Sequence, residues 1–293
     1  SPDMALTRAA SLVHGATRVS IFTGAGISVE SGIPDFRSPG GLWSKYDPFT
    51  YCNYEVFKSH PEMFWRMARE LVLDIHQQNG GTKEEALKDG KLRKAQPNAA
   101  HMALAELQTM GKKVTVITQN IDGLHKAAGN KRVIELHGTD QTSTCMSCLM
   151  QYEQSEVISQ WIAQPDEKKF RPISEDDFVP TCKNCGGILK ADVTFFGEAL
   201  PAGAMLKATQ AVLASSVCIV VGTSLQVAPA NLVPGMIHTR FGKLIVCNLD
   251  DSGRDSADVF LQGKATETLP ALVEEVKRLQ ESQPENKTWC SVQ

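Results

Sequence analysis

The stretch at residues 24–37 brings together groups that could bind a nucleotide. It reads GAGISVESGIPDFR and directly follows the β-branched run at 19–23. The Gly-Ala-Gly start would leave backbone N–H groups accessible to a phosphate. A dinucleotide fingerprint would carry a third glycine where this chain has Val29, so the loop fits only half of that motif. A tight turn without a ligand is the alternative interpretation.

The end of the same stretch adds three side chains of different chemistry. Asp35, Phe36 and Arg37 place a carboxylate, an aromatic face and a guanidinium behind the stiff pair Ile33-Pro34. Arg37 alone would more often form a surface salt bridge. Next to a phosphate loop, the three side chains favour a ligand site.

Polar groups also follow the next strand-like runs. Gln119, Asn120 and Asp122 come directly after one run and offer amide and carboxylate groups suited to ribose hydroxyls. An Asn-x-Asp turn is the alternative. His137 closes the following run, a position for a general base whose pKa lies near the working pH. A lone histidine is more often structural, but its company at the strand ends favours a catalytic role.

Four of the eight cysteines form two C-x-x-C pairs, Cys145 with Cys148 and Cys182 with Cys185. Four thiolates in a tetrahedron are what a closed structural zinc site needs. A redox-active pair is the alternative, but two copies, the second followed by a Gly-Gly turn, favour zinc. The sequence therefore predicts a structural metal.

The elements that must position these residues alternate. Strand-like runs lie at 19–23, 114–118, 133–136, 217–221 and 244–247, with helical patterns between several of them. Because these runs are apolar on both faces, they predict a parallel sheet covered by helices. Ligands of such sheets bind beyond the carboxyl ends of the strands, where the polar groups collect. We therefore predict an α/β fold with a Rossmann-like parallel sheet, helices on both faces and a small zinc-ribbon module.

The cysteine pairs and the acidic stretch between them interrupt this alternation. We predict a discontinuous nucleotide-binding domain over 5–138 and 195–275, a small zinc-binding module over 139–194 and a flexible C-terminal tail over 276–293. The long spacing between the cysteine pairs fits a loop insertion, because closure entropy grows slowly with loop length. Residues 77–96 are rich in Gly, Lys and Glu and predict a solvated excursion.

Composition and charge exclude other classes of protein. The 293 residues are 42% hydrophobic and 22% charged, as in an ordinary globular protein. The formal net charge of -3 provides no general basic field, which argues against bulk nucleic-acid binding. No run approaches the roughly 18 apolar residues of a membrane-spanning helix. We therefore expect a cytoplasmic or nuclear protein.

The order of the motifs resembles that of the sirtuins, the Sir2 family of NAD-dependent protein lysine deacylases. GAGIS, SGIPDFR, TQNIDGL, HG, the two C-x-x-C pairs, FFGE and GTSL follow the family order over about residues 5–275. The resemblance implies that His137 and Asn120 are catalytic. It implies NAD contacts from the strand-end loops, namely Gly24, Ala25, Asp35, Phe36, Arg37, Gln119, Asn120, Asp122, Gly222, Thr223, Ser224, Asn248 and Leu249. It implies substrate contacts from Thr194, Phe196, Gly197 and Glu198.

The resemblance also implies a reaction. The acyl-lysine carbonyl oxygen would attack C1′ of the nicotinamide ribose, with Phe36 as a lid that excludes water. His137 would draw a proton from the ribose hydroxyls so that the acyl group moves to the 2′-oxygen. The products would be nicotinamide, free lysine and 2′-O-acyl-ADP-ribose. The acylated peptide would add as a strand beside residues 194–198 and the segment after Ser224, while one of Phe195 and Phe196 belongs to the core.

The acyl group that such an enzyme removes depends on the end of its tunnel. Sirtuins that favour negatively charged acyl groups carry a Tyr-x-x-Arg pair that binds the carboxylate. Residues 64–71 read FWRMAREL and lack this pair. We therefore expect acetyl or longer neutral acyl groups.

Two other functions fit parts of the pattern. A mono-ADP-ribosyltransferase or NAD glycohydrolase could use the same site with another acceptor. A non-catalytic acyl-lysine binding module would keep the zinc ribbon, but His137 and Asn120 argue against it. A dehydrogenase is disfavoured, because the third fingerprint glycine is absent.

The sequence ends in Cys290-Ser291-Val292-Gln293, which has the C-a-a-X form associated with farnesylation. The polar Ser291 and the lack of a polybasic cluster argue against modification, and a chance cysteine in a frayed tail is the alternative. If Cys290 is farnesylated, we expect weak membrane association of part of the protein, because one lipid chain binds membranes reversibly.

Overall fold

A six-stranded parallel sheet forms the centre of the protein. The computed structural model describes residues 2–36, 41–82, 84–86, 92–162 and 179–282. The strands within these ranges are β1 (Arg18–Thr23), β2 (Lys113–Thr118), β3 (Val133–Glu135), β4 (Gly138–Cys145), β5 (Gln151–Glu153), β6 (Leu189–Val193), β7 (Val217–Val221), β8 (Lys243–Asn248) and β9 (Val259–Gln262).

The large sheet has the order β3-β2-β1-β7-β8-β9, and each neighbouring pair is parallel. This confirms the predicted parallel sheet. Strand β9 was not predicted. The order reverses between β1 and β7, so the loops after these strands diverge and leave a crevice for a ligand at the carboxyl edge.

Helices cover both faces of this sheet, as predicted. Their bounds are α1 (Pro2–Gly15), α2 (Leu42–Lys45), α3 (Pro48–Tyr51), α4 (Tyr54–Ser59), α5 (Pro61–Gln78), α6 (Ala99–Thr109), α7 (Leu124–Ala127), α8 (Gln154–Ile162), α9 (Ala204–Leu213) and α10 (Ala265–Ser282). No helix among the described residues is both long and apolar enough to cross a membrane.

Alternate residues of the strands supply two separate cores. In β1, Ile21 packs with residues of α1, α6 and α10 on one face of the sheet. Phe22 packs with α9 and the segment Pro234–Arg240 on the other face. Successive side chains of a strand point to opposite faces, so a strand buried on both sides is apolar throughout. The two cores fix the strand ends that carry the polar residues.

The small module is a three-stranded antiparallel sheet of order β5-β4-β6. It leaves the large sheet after β3 and returns before α9. The Thr194 N–H donates to the His137 carbonyl at 2.8 Å, so exit and return points are adjacent. A third core packs this module against α2 to α5.

Two parts of the predicted organisation require correction. Helix α10 continues to Ser282, so residues 276–282 are helical and do not belong to a flexible tail, because Val276 packs in the core. The predicted excursion at 77–96 begins inside α5, which ends at Gln78. Near its end the Arg93 N–H donates to Nδ1 of the buried His76 at 2.8 Å, so this part of the segment is bound to the protein. Cys290 and its three following residues lie outside the described ranges.

Candidate active site

The loop after β1 differs from a phosphate loop. We expected accessible N–H groups on the Gly-Ala-Gly run, but the Gly24 N–H donates to the Val221 carbonyl at 3.0 Å and the Gly26 N–H donates to the Gly222 carbonyl at 2.9 Å. The Ala25 N–H forms no hydrogen bond in the described chain. Two short 3₁₀ turns follow in place of a helix, at Ala25–Ile27 and Val29–Ser31.

The glycines of this loop allow two backbones to approach each other. A Cβ on Gly26 would lie 2.7 Å from the Gly222 Cα, and a Cβ on Gly222 would lie 2.5 Å from the Ile27 N. Gly222 also has a φ of 59°, which an L side chain rarely adopts. Gly26 and Gly222 therefore serve the contact between the β1 and β7 loops.

A hydrogen-bonded cluster joins the β1 loop to the β2 loop. The Asn120 Nδ2 donates to the Gly24 carbonyl and to Ser28 Oγ, both at 3.1 Å. Ser28 Oγ in turn donates to Asp122 Oδ2 at 2.7 Å. Ser28 and Asn120 are buried, so the cluster holds the Asp122 carboxylate in one orientation at the strand ends.

His137 lies two residues after the end of β3, with its ring against the β2 loop. Its Nδ1 lies 3.0 Å from the Gln119 carbonyl. A carbonyl only accepts, so Nδ1 carries the proton and Nε2 carries the lone pair. Burial lowers the pKa of His137, although the hydrogen bond to Gln119 opposes this shift. The imidazole is therefore held neutral, with Nε2 able to accept a proton.

The loops after β7 and β8 complete the crevice. Gln119 Nε2 donates to Thr223 Oγ1 at 3.0 Å, which links the β2 loop to the β7 loop. The Asn248 amide accepts from the Thr223 N–H and donates to the Thr223 carbonyl, both at 3.0 Å. Asn248 thus shapes the loop that carries Thr223 and Ser224. Leu249 is 70% exposed beside this network.

The remaining predicted NAD contacts follow the second 3₁₀ turn of the β1 loop. The Asp35 and Phe36 carbonyls accept from the Leu42 and Trp43 N–H groups, both at 2.9 Å. The Phe36 ring stacks on Trp43 with centroids 5.0 Å apart. Arg37 lies outside the described residues.

The donor set of this crevice matches the chemistry of NAD. The amides, the Asp122 carboxylate, the neutral imidazole and the free Ala25 N–H are groups that can bind ribose hydroxyls, a carboxamide and a phosphate. Gln119, Asn120, Asp122, His137 and Thr223 come from three different strand-end loops. The parallel sheet therefore brings together side chains that are far apart in the sequence.

The predicted substrate segment connects β6 to the large domain. The Phe196 N–H donates to the Cys52 carbonyl at 2.8 Å, and the Tyr54 N–H donates to the Phe196 carbonyl at 3.0 Å. As expected for one of the two phenylalanines, Phe195 is core, with 2% exposure. Phe196 is half-buried and packs against Phe49 at 5.0 Å between centroids.

The four cysteines of the small module converge, as predicted. Their Sγ atoms all lie within 4.8 Å of one another, with 3.6 Å between Cys145 and Cys185 and 3.5 Å between Cys148 and Cys182. Sulfurs around a tetrahedral zinc lie about 3.8 Å apart, since each bond is about 2.3 Å long. The cluster is consistent with zinc. The Tyr152 hydroxyl accepts from the Lys183 N–H and contacts Cys182 Sγ at 3.1 Å.

Two residues of this region were missing from the predicted site. Ser28 connects Asn120 with Asp122, and its place within the GAGIS motif was the available signal. Asp140 follows His137 by three residues, and burial, with the nearby Asp122 charge, raises its pKa to about 7. Nothing in the sequence indicates this shift, because the desolvation of a carboxyl on β4 depends on how the rest of the chain packs around it.

Comparisons with known proteins agree with this geometry. The model of the Sir2 family matches residues 24–229. An NAD-dependent protein deacetylase of Saccharolobus solfataricus is 41% identical over 258 residues, which cover 88% of this chain and 91% of that protein. NAD-dependent protein deacylase 2 of Pyrobaculum aerophilum is 38% identical over 270 residues, covering 92% of this chain and 95% of that protein.

Solved structures show the same architecture. A structure from work on the mechanism and regulation of Sir2 enzymes has a TM-score of 0.77 at 37% identity, covering 94% of this chain and 99% of that one. Sir2Af2 bound to a myristoylated histone peptide has a TM-score of 0.73 at 32% identity, covering 96% and 100%. A mutant Sir2 homologue in complex with 2′-O-acetyl ADP ribose has a TM-score of 0.76 at 33% identity, covering 95% and 99%.

Proposed function

Because the chain belongs to the Sir2 family and is an NAD-dependent protein deacylase, we propose that His137 is its general base. The observation that carries this role is the contact between Nδ1 and the Gln119 carbonyl, which fixes the tautomer and leaves Nε2 as the acceptor. Bound NAD supplies a ribose with a cleavable bond to nicotinamide and hydroxyl groups to receive the acyl group. His137 accepts the hydroxyl proton at Nε2.

The remaining strand-end residues orient and enclose the reactants in this proposal. Asn120, held by Ser28 and the Gly24 carbonyl, keeps its Oδ1 available to the ribose or to an ordered water. Asp122 presents a carboxylate that Ser28 orients. Phe36 covers the nicotinamide side and excludes water that would compete with the acyl oxygen.

The acylated peptide is proposed to bind as an added strand between the two modules. Gly197 and Gln226 are both exposed, and neither donates or accepts a hydrogen bond within the described chain. Free N–H and C=O groups on these two segments are able to pair with an extended peptide that lies between them. Main-chain pairing of this kind requires little of the peptide sequence beyond the acyl-lysine.

We further propose that the acyl group is neutral. Phe64, Trp65 and Met67 of α5 are buried, and the helix has no Tyr-x-x-Arg pair to bind a carboxylate. Sir2Af2, a structural relative, binds a myristoylated histone peptide, which is a long aliphatic example. The expected kcat/KM is higher for acetyl-lysine than for succinyl-lysine on the same peptide. A preference for succinyl would contradict this assignment.

Substitution of His137 tests the proposed base. His137→Ala should abolish deacylation of an acetyl-lysine peptide, and NAD should still raise the melting temperature, because the binding loops are intact. The matched control is His60→Ala, since the His60 side chain is 63% exposed and, among the described residues, pairs with Glu62 alone. Mass spectrometry follows nicotinamide, acylated ADP-ribose and ADP-ribosylated protein. Near wild-type turnover of His137→Ala, or ADP-ribosylated protein as the main product, would overturn the proposal.

A further inference from the structure

A partly buried ammonium group lies beside the substrate segment. The Lys190 side chain on β6 is 13% exposed. Its Nζ donates to the Val193 carbonyl at 2.8 Å and to the Ala191 carbonyl at 3.2 Å, and it lies 2.9 Å from Glu198 Oε2. An ammonium has three N–H donors, so these acceptors satisfy it fully. The Phe195 ring, 4.1 Å from Nζ at its centroid, adds a cation–π contact.

The Glu198 carboxylate closes the turn that follows β6. The same Oε2 atom that contacts Lys190 accepts from the Phe195 N–H at 2.7 Å. The Glu198 N–H donates to the Phe195 carbonyl at 3.1 Å. The Glu198 side chain is therefore turned into the protein and is not free to bind a peptide side chain. Its contacts fix the backbone between Phe195 and Glu198.

The backbone that these contacts fix includes the N–H and C=O groups of the substrate segment that remain unpaired in the described chain. Phe196 is paired with Cys52 and Tyr54, and the Thr194 N–H is used by His137. Gly197 lies at the exposed tip, with no hydrogen bond in the described chain. The direction in which the Gly197 N–H and C=O point is set by the residues on either side of it, which the Lys190–Glu198 pair holds.

We propose that Lys190 and Glu198 form a positioning pair that sets the peptide-binding edge at Gly197, so that breaking the pair weakens binding of the acylated peptide and leaves NAD binding intact. This inference rests on the proposed peptide site. A partly buried ion pair of this kind adds little net stability, because desolvation of the two charges offsets their attraction. A contribution to stability therefore does not account for the pair, whereas fixing one conformation of the peptide-binding edge does.

The test is a comparison of Michaelis constants in the intact chain. Lys190→Met and Glu198→Gln keep the approximate volume of each side chain and remove one charge. Each should raise KM for an acetyl-lysine peptide by about tenfold, equal to roughly 1.4 kcal/mol of binding free energy. KM for NAD should stay within about twofold of wild type. The double variant should be no worse than the worse single variant, because both substitutions break one interaction.

Lys183→Met is the matched control. Lys183 lies on the same module and pairs with Glu156 at 3.1 Å, but its side chain is 59% exposed. This variant should leave both Michaelis constants unchanged. KM does not depend on the fraction of folded enzyme, so a purely structural role of Lys190 would lower kcat or the melting temperature and leave the peptide KM unchanged. That result would overturn the inference, and so would an equal effect of Lys183→Met.

Two further outcomes are separable. If Lys190→Met does not fold, Glu198→Gln provides the test, because its amide retains the shape and one acceptor of the carboxylate. An unchanged KM for the peptide in Glu198→Gln would refute the positioning role of the pair. Failure of the proposed function would instead appear in the wild-type protein, as NAD turnover without deacylation of any peptide. Wild-type deacylation combined with unchanged Michaelis constants in both variants refutes the positioning pair alone.

Discussion

Replacing Gly26 by alanine separates two roles that a glycine in a nucleotide-binding loop can have. In a phosphate loop, glycine lets the backbone approach the ligand. Here the added Cβ would lie 2.7 Å from the Gly222 Cα and 2.9 Å from the Gly222 carbonyl oxygen, so the clash is within the protein. Gly26 does not adopt a positive φ, so the alanine meets a steric obstacle and no backbone strain.

The size of the effect follows from this distance. Cβ contacts are ordinarily 3.4 Å or longer, so the β1 and β7 loops would have to separate by several tenths of an ångström. Overpacking of this kind costs about 1–3 kcal/mol of unfolding free energy. The separation would also stretch the hydrogen bond from the Gly26 N–H to the Gly222 carbonyl, now 2.9 Å. We expect the melting temperature to fall by roughly 2–10 °C.

The assay is thermal unfolding of Gly26→Ala with and without NAD. Gly235→Ala is the control, because a Cβ on Gly235 meets nothing within 4 Å. If Gly26 serves loop packing, its variant melts lower than the control already without NAD. An unchanged melting temperature without NAD, combined with loss of the stabilisation that NAD gives, would show that Gly26 instead faces the ligand and would refute this reading of the loop.

Two other perturbations test the base and the metal. Burial lowers the pKa of His137, and the imidazole must be neutral to act as a base. We therefore expect kcat to stay constant as the pH falls through about 6.5, the ordinary pKa of histidine. A kcat that already declines at or above that pH would contradict the lowered pKa. Cys182→Ser or chelation should release zinc and abolish turnover by unfolding the small module, because structural zinc supplies folding free energy. Metal analysis combined with the deacylation assay checks this, and a metal-free protein with normal turnover speaks against it.

The sheet and the convergence of polar residues were predictable from the sequence. Apolar β-branched runs such as 217–221 are buried on both faces, and this pattern alone indicates parallel strands with a ligand site at their carboxyl ends. The cysteine pairs were equally informative, because two C-x-x-C pairs supply the four thiolates that a tetrahedral zinc site requires. Strand β9, which has four residues and ends in an exposed glutamine, was not predicted.

Features that depend on long-range packing were not predictable. The Gly24 and Gly26 N–H groups donate to carbonyls of β7 and its loop, and no local feature of the sequence indicates that β7 lies beside β1. Residues 276–282 look polar enough for a tail, but Val276 packs between helices and strands and keeps the helix intact. The contact between Lys190 and Glu198 depends on the turn that joins them, which neither residue indicates locally.

The small module is inserted at two points that touch. Its chain departs after His137 and comes back at Thr194, and a single 2.8 Å hydrogen bond joins these residues. An insert whose ends meet does not alter the distance that the host must span, so its length is free to change without disturbing the strands on either side. Evolution can therefore exchange or enlarge the whole insert as a cassette while the host sheet keeps its register. A replacement must supply an N–H group that meets the carbonyl of His137, the proposed base, and an apolar face for the core that the module shares with α2 to α5.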